Sequence, residues 1–185
     1  MTDKPERIFL FSGKRKSGKD HITDILYQRI GPEQSVIIKI SGPIKTHWAR
    51  TLNLDIDKLL GDGEYKEKYR LEMVKWSEDL RRKDYGYFCR AAINMYNAQQ
   101  KAIWIISDIR RKTDIKWFTE NFETCKTVRI SCDDSVRKDR GWIYTPDIDD
   151  SETECDLDNL DTWDLEVTNN GSNTADILNK IIELI

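Results

Sequence analysis

The chain has 185 residues, 38% of them hydrophobic and 34% charged, and a net charge of −3 at neutral pH. That length suits one domain with a real apolar core, and no apolar run approaches the ~20 residues of a membrane-spanning helix. The small negative charge excludes a generally basic nucleic-acid-binding surface, and the scattered cysteines, with no CxxC pair, exclude a disulfide framework and are expected as free thiols in a reducing compartment.

The polar opening Met-Thr-Asp-Lys-Pro-Glu-Arg runs straight into an apolar segment, so no signal peptide is expected. With no Ser-Lys-Leu type of C-terminal tripeptide either, the expected compartment is the cytoplasm. The strands expected are short apolar runs bounded by turn residues, at Ile8–Ser12, Val36–Ile40, Ile103–Ser107, Thr127–Ser131 and Trp163–Val167. Several lack polar alternation, the mark of parallel strands covered on both faces. Between them, Ile22, Ile25, Leu26 and Ile30 share one face of a helix from Gly18 to Ile30. Tyr65, Tyr69, Met73, Trp76 and Leu80 do the same from Glu64 to Arg82, and Ile177, Ile181 and Leu184 from Asp176 to Leu184. Strand and helix alternate, which predicts an α/β fold around a parallel sheet. Two long excursions interrupt it, from about Ser41 to Ala98 (mostly helical) and from about Cys132 to Leu160 (polar and weakly periodic). Such insertions often bind substrate or close over it.

The strongest local signal is Ile8-Phe-Leu-Phe-Ser-Gly-Lys-Arg-Lys-Ser-Gly-Lys-Asp20. A buried strand leads into Gly13, four residues, Gly18 and Lys19, then an amphipathic helix, which is the arrangement of a P-loop. Glycines permit turns that a Cβ would forbid, loop amides face phosphate oxygens, and the helix start adds its positive end. Lys19 supplies a point charge for the β and γ phosphates. Asp20 stands where the usual motif has a Ser or Thr, and its carboxylate can serve Mg²⁺ directly or through water. Lys14, Arg15 and Lys16 make the loop unusually cationic.

At about 100° per residue, Lys66, Arg70, Ser77 and Arg81 fall within an arc of about 60° on one helix. They predict a cationic wall for an anionic acceptor, to which Arg90 in Phe88-Cys89-Arg90 can add. The third strand ends in Ser107-Asp108-Ile109-Arg110-Arg111, where open α/β sheets place ligands. There Asp108 can hold Mg²⁺ through water or orient an arginine, and Arg110 and Arg111 can clamp phosphate or carboxylate. Arg137 and Arg140, before Gly141-Trp142, are positioned to swing over phosphates from a lid. No strong base stands out. A phosphate acceptor needs none, because its oxygen is already anionic near neutrality and alignment with charge neutralisation suffices.

These segments resemble those of animal-type phosphomevalonate kinases. The likeness is carried by Leu10-Phe-Ser-Gly-Lys-Arg-Lys-Ser-Gly-Lys-Asp20, Ile40-Ser-Gly-Pro-Ile-Lys45, Tyr65-Lys-Glu67, Phe88-Cys-Arg90, Ser107-Asp-Ile-Arg-Arg111, Arg140-Gly-Trp142 and Leu157-Asp-Asn159, in order across nearly the whole chain. Asp in the last place of the loop is itself a family feature. The resemblance implies a nucleoside-monophosphate-kinase-like fold with a five-stranded parallel sheet flanked by helices. Within a single domain it implies a core at 1–40, 99–131 and 160–185, an acceptor-binding region at 41–98 and a lid at about 132–159. It implies Mg²⁺-dependent transfer of the ATP γ-phosphate to 5-phosphomevalonate, giving ADP and 5-diphosphomevalonate in the mevalonate route to isoprenoids. Carried over by position, ATP falls to Gly13, Lys14, Arg15, Lys16, Ser17, Gly18, Lys19, Asp20, Arg140 and Asn170. The acceptor falls to Lys45, Lys66, Arg70, Arg81, Arg90, Asp108, Arg110, Arg111 and Asn169. Catalysis falls to Lys14, Lys16, Lys19, Arg110, Arg111 and Arg140, and Mg²⁺ to Asp20 and Asp108. Asn170 replaces the family's His and Ala175 its Arg. The partners expected are small molecules alone, with a monomeric chain. A nucleoside monophosphate kinase and a non-catalytic nucleotide-binding adaptor stay open beside this reading.

Overall fold

The computed structural model describes residues 4–61 and 64–185, so Met1 to Asp3 of the polar opening and Asp62 and Gly63 of the first excursion lie outside the described residues. Arg7–Ser12 (β1) is the central strand, and its residues Ile8, Phe9, Leu10 and Phe11 have no solvent exposure. Successive side chains point to opposite faces, so Ile8 and Leu10 join one apolar layer and Phe9 and Phe11 the other. The remaining strands are Ser35–Ile38 (β2), Ile103–Ile106 (β3), Cys125–Ser131 (β4) and Leu165–Thr168 (β5). Together they form a five-stranded sheet of order β2-β3-β1-β4-β5, and every pairing is parallel, as the unbroken apolar runs predict.

Lys19–Ile30 (α1) and Thr174–Ile182 (α9) cover one face, burying Ile22, Leu26, Ile177, Leu178 and Ile181 against Phe9, Phe11, Ile105 and Val128. The other face carries Tyr87–Met95 (α5) and Lys112–Asn121 (α6), with Phe88, Ala92, Trp117 and Phe118 on Ile8, Leu10, Trp104 and Ile106. The first excursion is mostly helical over its described residues: Ser41–Leu52 (α2), Ile56–Leu60 (α3) and Glu64–Lys83 (α4) lead into α5. It builds a small core of its own around Ala49, Leu59 and Met73. The second holds only the short helices Asp134–Asp139 (α7) and Glu152–Cys155 (α8), in agreement with its weak periodicity.

Each strand differs by one or two residues at one end or both from the sequence reading, and two of these ends have a local reason. β2 stops at Ile38 because the Asp108 carboxylate takes the amides of Ile40 (2.6 Å) and Ser41 (3.0 Å) and turns the chain into α2. β5 starts at Leu165 because Asp164 accepts the Thr127 amide (2.8 Å) and hydroxyl (2.9 Å), tying that residue off as a cap. All four cysteines are free thiols. Burial pushes the Cys89 thiol well up and that of Cys125 to about 12, so both are inert packing groups. Among the described residues no helix is long and apolar enough to cross a membrane.

Candidate active site

The loop from Gly13 to Asp20 joins β1 to α1 at the carboxyl end of the sheet, where β1 lies between β3 and β4. A Cβ at Gly13 would sit 2.7 Å from the Ile130 carbonyl oxygen, which only glycine avoids. Gly18 is left-handed (φ 82°) and a Cβ there would lie 2.3 Å from Asn169 Nδ2. Lys16 is left-handed as well (φ 61°), a strain found typically where a backbone is shaped for a ligand. Helix α1 starts with no side-chain cap, so its first amides and its positive end remain for an anion.

The outer side of the loop explains its shape. The carbonyl of Arg15 accepts from Arg137 Nε (2.9 Å), that of Lys16 from Arg140 NH1 (3.3 Å), and that of Ser17 from Asn169 Nδ2 (3.1 Å). No peptide here is cis, so each carbonyl held outward turns the following N–H the opposite way. The amides of Lys16 and Gly18 are thereby aimed into the loop. Arg137 is buried and stacks on Trp142 at 3.8 Å. It thus braces the loop in this structure. Asn169, 2% exposed, likewise braces the loop, and its own carbonyl accepts from Arg140 NH2 (3.0 Å). The signal for both braces was too distant in sequence to read. Asn170 is exposed, and its side chain is tied to Asp133.

Two hollows open at this end. One is lined by the loop residues from Gly13 to Asp20 with His21 and Glu67, and the other, about 220 Å³, lies between β3, α2 and α4. They meet at Lys19, Asp20, Lys66, Arg70 and Arg110, which line both. The Lys19 ammonium reaches from the loop to the Ser107 carbonyl at the end of β3 and also bonds Asp20. Partial desolvation works to raise the Asp20 pKa, but Lys19, Lys39 and Arg110 outweigh it and hold the carboxyl below the ordinary aspartate range. Among the described residues, Ser17 Oγ, Ser107 Oγ, Arg111 NH1, Asp114 Oδ2 and Glu154 Oε2 are buried without a hydrogen-bond partner around these hollows.

Lys45, Arg81, Asp108 and Arg111 line the second hollow, with Ile44, Met73 and Val74 as its apolar part. Arg81 is half-buried and Arg111 buried, and both are already paired. Arg81 binds Asp114, and burial disfavours its charge while Asp114 outweighs that and keeps the guanidinium charged. Arg111, 4% exposed, donates to Glu78 through Nε (2.9 Å) and NH2 (2.6 Å). Arg90 lies outside the hollow, exposed at the start of α5 and paired with Asp84, because that face of α5 points to solvent. Asp108 spends both carboxylate oxygens on the start of α2, which leaves it poorly suited to a metal. Carboxylates of the second excursion fold back on the site. Asp149 pairs with Arg15 (3.2 Å), Glu154 with Arg110, and Asp158 with Lys14 and Arg129 (2.7 Å).

A parallel sheet of this order, a phosphate loop after its central strand and a cation-lined second hollow joined to the first define a P-loop kinase. The chain belongs to the phosphomevalonate kinase family, whose family model matches residues 11–124. A phosphomevalonate kinase of Drosophila melanogaster is 50% identical over 167 residues, covering 88% of each chain. The fold is shared with an APS kinase of Mycobacterium tuberculosis solved in complex with AMPPNP and APS (TM-score 0.52, 13% identity, 98% of both chains). It is shared too with TT1252 from Thermus thermophilus (TM-score 0.56, 12% identity, 97% of both).

Proposed function

We propose that this chain is a phosphomevalonate kinase, transferring the γ-phosphoryl group of ATP to the phosphate of (R)-5-phosphomevalonate to give ADP and 5-diphosphomevalonate. Family membership and half-identity to a curated phosphomevalonate kinase support this reading. The observation that carries it is the junction of the two hollows at Lys19, Asp20, Lys66, Arg70 and Arg110. Two polyanions can be held end to end there, with cations where transferred charge develops.

The loop amides and Lys19 cradle the nucleotide phosphates, and Arg140 braces the loop from behind. Lys66, Arg70 and Arg110 face the acceptor phosphate, while Ile44, Met73 and Val74 supply an apolar surface for its carbon chain. The acceptor oxygen attacks the γ-phosphorus in line, and no side chain has to remove a proton, because a phosphate monoester loses its second proton near pH 6. Alignment accounts for much of the rate. Asp20 fits Mg²⁺, being an ionised hard-oxygen donor at the mouth of both hollows; the metal would neutralise charge on the β and γ oxygens. The chain acts as a monomer in the cytoplasm, with no partner beyond its small-molecule substrates.

The test is ADP release with phosphomevalonate against a panel of nucleoside monophosphates. Turnover is expected with phosphomevalonate alone. Turnover of a nucleotide with none of phosphomevalonate overturns the reading.

A further inference from the structure

We infer that Glu154 is a positioning residue that sets the orientation of Arg110 at the junction of the two hollows. The inference rests on the function proposed above. Arg110 lines both hollows and keeps about a third of its side chain exposed (34%). Its NH1 is held by Glu154 Oε1, and among the described residues its other nitrogens make no hydrogen bond. A guanidinium is planar and rigid, so gripping one corner fixes where the remaining donors point. Arginine otherwise brings about 2 kcal/mol of rotamer entropy to any ligand it must order, and an arginine fixed in advance spares the ligand that cost.

Glu154 is itself held in place by its surroundings. Its side chain is 1% exposed, and its amide is bonded to the Ser151 carbonyl (2.9 Å). The segment around it is anchored at several points: the Asp149 carboxylate to Arg15, the Asp156 carboxylate to the Lys112 amide (2.8 Å), and Asp158 to Lys14 and Arg129. One carboxylate oxygen of Glu154 stays buried and unpartnered. A buried charge left half satisfied is an expensive way to fill space, and the cation it orients is the compensation. Arg111 beside it needs no such help, being buried on Glu78. The strap from Asp149 to Asp158 thus reaches the junction of the two hollows through the ion pair of Glu154 and Arg110.

The experiment compares the full chain with Glu154→Gln, Arg110→Met and the double variant, measuring kcat and both KM values at high enzyme concentration. Glu154→Gln is expected to lower kcat/KM for phosphomevalonate about tenfold or more and to leave KM for ATP within about twofold, by analogy with the carboxylates that orient metal-ligating side chains from behind, whose loss typically costs about 10–100-fold. Glu154→Asp is expected to recover part of the loss. In the Arg110→Met background the substitution is expected to have no further effect, because residues acting through one group are non-additive. An equal loss in both backgrounds, or a rise in KM for ATP as large as that for phosphomevalonate, overturns the inference and leaves Glu154 a structural ion pair. An absence of phosphomevalonate turnover in the unsubstituted chain defeats the proposed function instead, so the two failures are distinguishable.

Discussion

Lys19 and Asp20 show how adjacent residues divide the work of one loop. Lys19 is buried and reaches across to β3, whereas Asp20 stands at the open mouth beside it. Lys19→Met removes the point charge but keeps an unbranched chain of similar length. It is expected to lower kcat by about 10²–10³, the range for loss of one oriented charge-stabilising donor, while circular dichroism and the melting temperature stay close to those of the unsubstituted protein. Unchanged turnover would count against the phosphate-loop assignment. Asp20 makes a pH prediction. Its carboxyl sits below its ordinary value in the folded chain, so its charge is fully present above about pH 4 and is lost only as pH falls through that lowered value. The acceptor phosphate gains its proton earlier, near pH 6. The acid limb of kcat/KM is therefore expected near pH 6 in both the unsubstituted chain and Asp20→Asn, with the variant needing more Mg²⁺. An acid limb that moves with the substitution would assign it to Asp20.

Among the elements, helix α2 depends on a carboxylate from another part of the chain. Asp108 holds the Ile40 and Ser41 amides (2.6 and 3.0 Å), which replaces the cap that Ile40 cannot provide. Asp108→Ala is expected to cost about 2–3 kcal/mol, as for hydrogen bonds to a charged group, and to lower the midpoint of urea unfolding. KM for the acceptor is expected to rise, because Lys45 is carried on this helix. If Asp108 held Mg²⁺ instead, the variant would keep its stability and show only a raised Mg²⁺ requirement. This anchor also marks the limit of what the sequence disclosed. The loop was legible because all of its signals lie within 13 consecutive residues, from Ile8 to Asp20. The sheet was legible because buried parallel strands read as unbroken apolar runs. The basic face of α4 could be phased by helical geometry, and Lys66, Arg70, Ser77 and Arg81 do line the second hollow. Asp108, Asn169, Arg137 and Glu154 act on partners 44 to 152 positions away, and no local periodicity encodes such pairings. Arg90 was misplaced for the converse reason, since its residue type suits an anion while its helix face points to solvent.

At the scale of the whole molecule, a chain of net charge −3 concentrates cations at one end of its sheet. Like charges gathered there repel one another, and the strap carboxylates Asp149, Glu154 and Asp158 relieve part of that repulsion. Partial desolvation lowers the Lys14 pKa, yet Asp158 outweighs it and raises the net value, so this cation remains charged for a ligand. Polyanions that replace or supplement those carboxylates then stabilise the folded chain. A ligand at a hundred times its dissociation constant contributes about 2.7 kcal/mol, which for a domain of this size is a rise in melting temperature of about 5–10 °C. Thermal unfolding with ATP·Mg²⁺, with phosphomevalonate, and with both is expected to show a rise for each ligand and a larger one for the pair. The rise at fixed ligand concentration should shrink as salt goes from 0.05 to about 0.5 M, because exposed cations are screened over roughly 10 Å at 0.1 M. Mevalonate lacking the phosphate should give little shift at the same concentration. Equal shifts with and without that phosphate would mean that the apolar wall, rather than the gathered charge, is what recognises the acceptor.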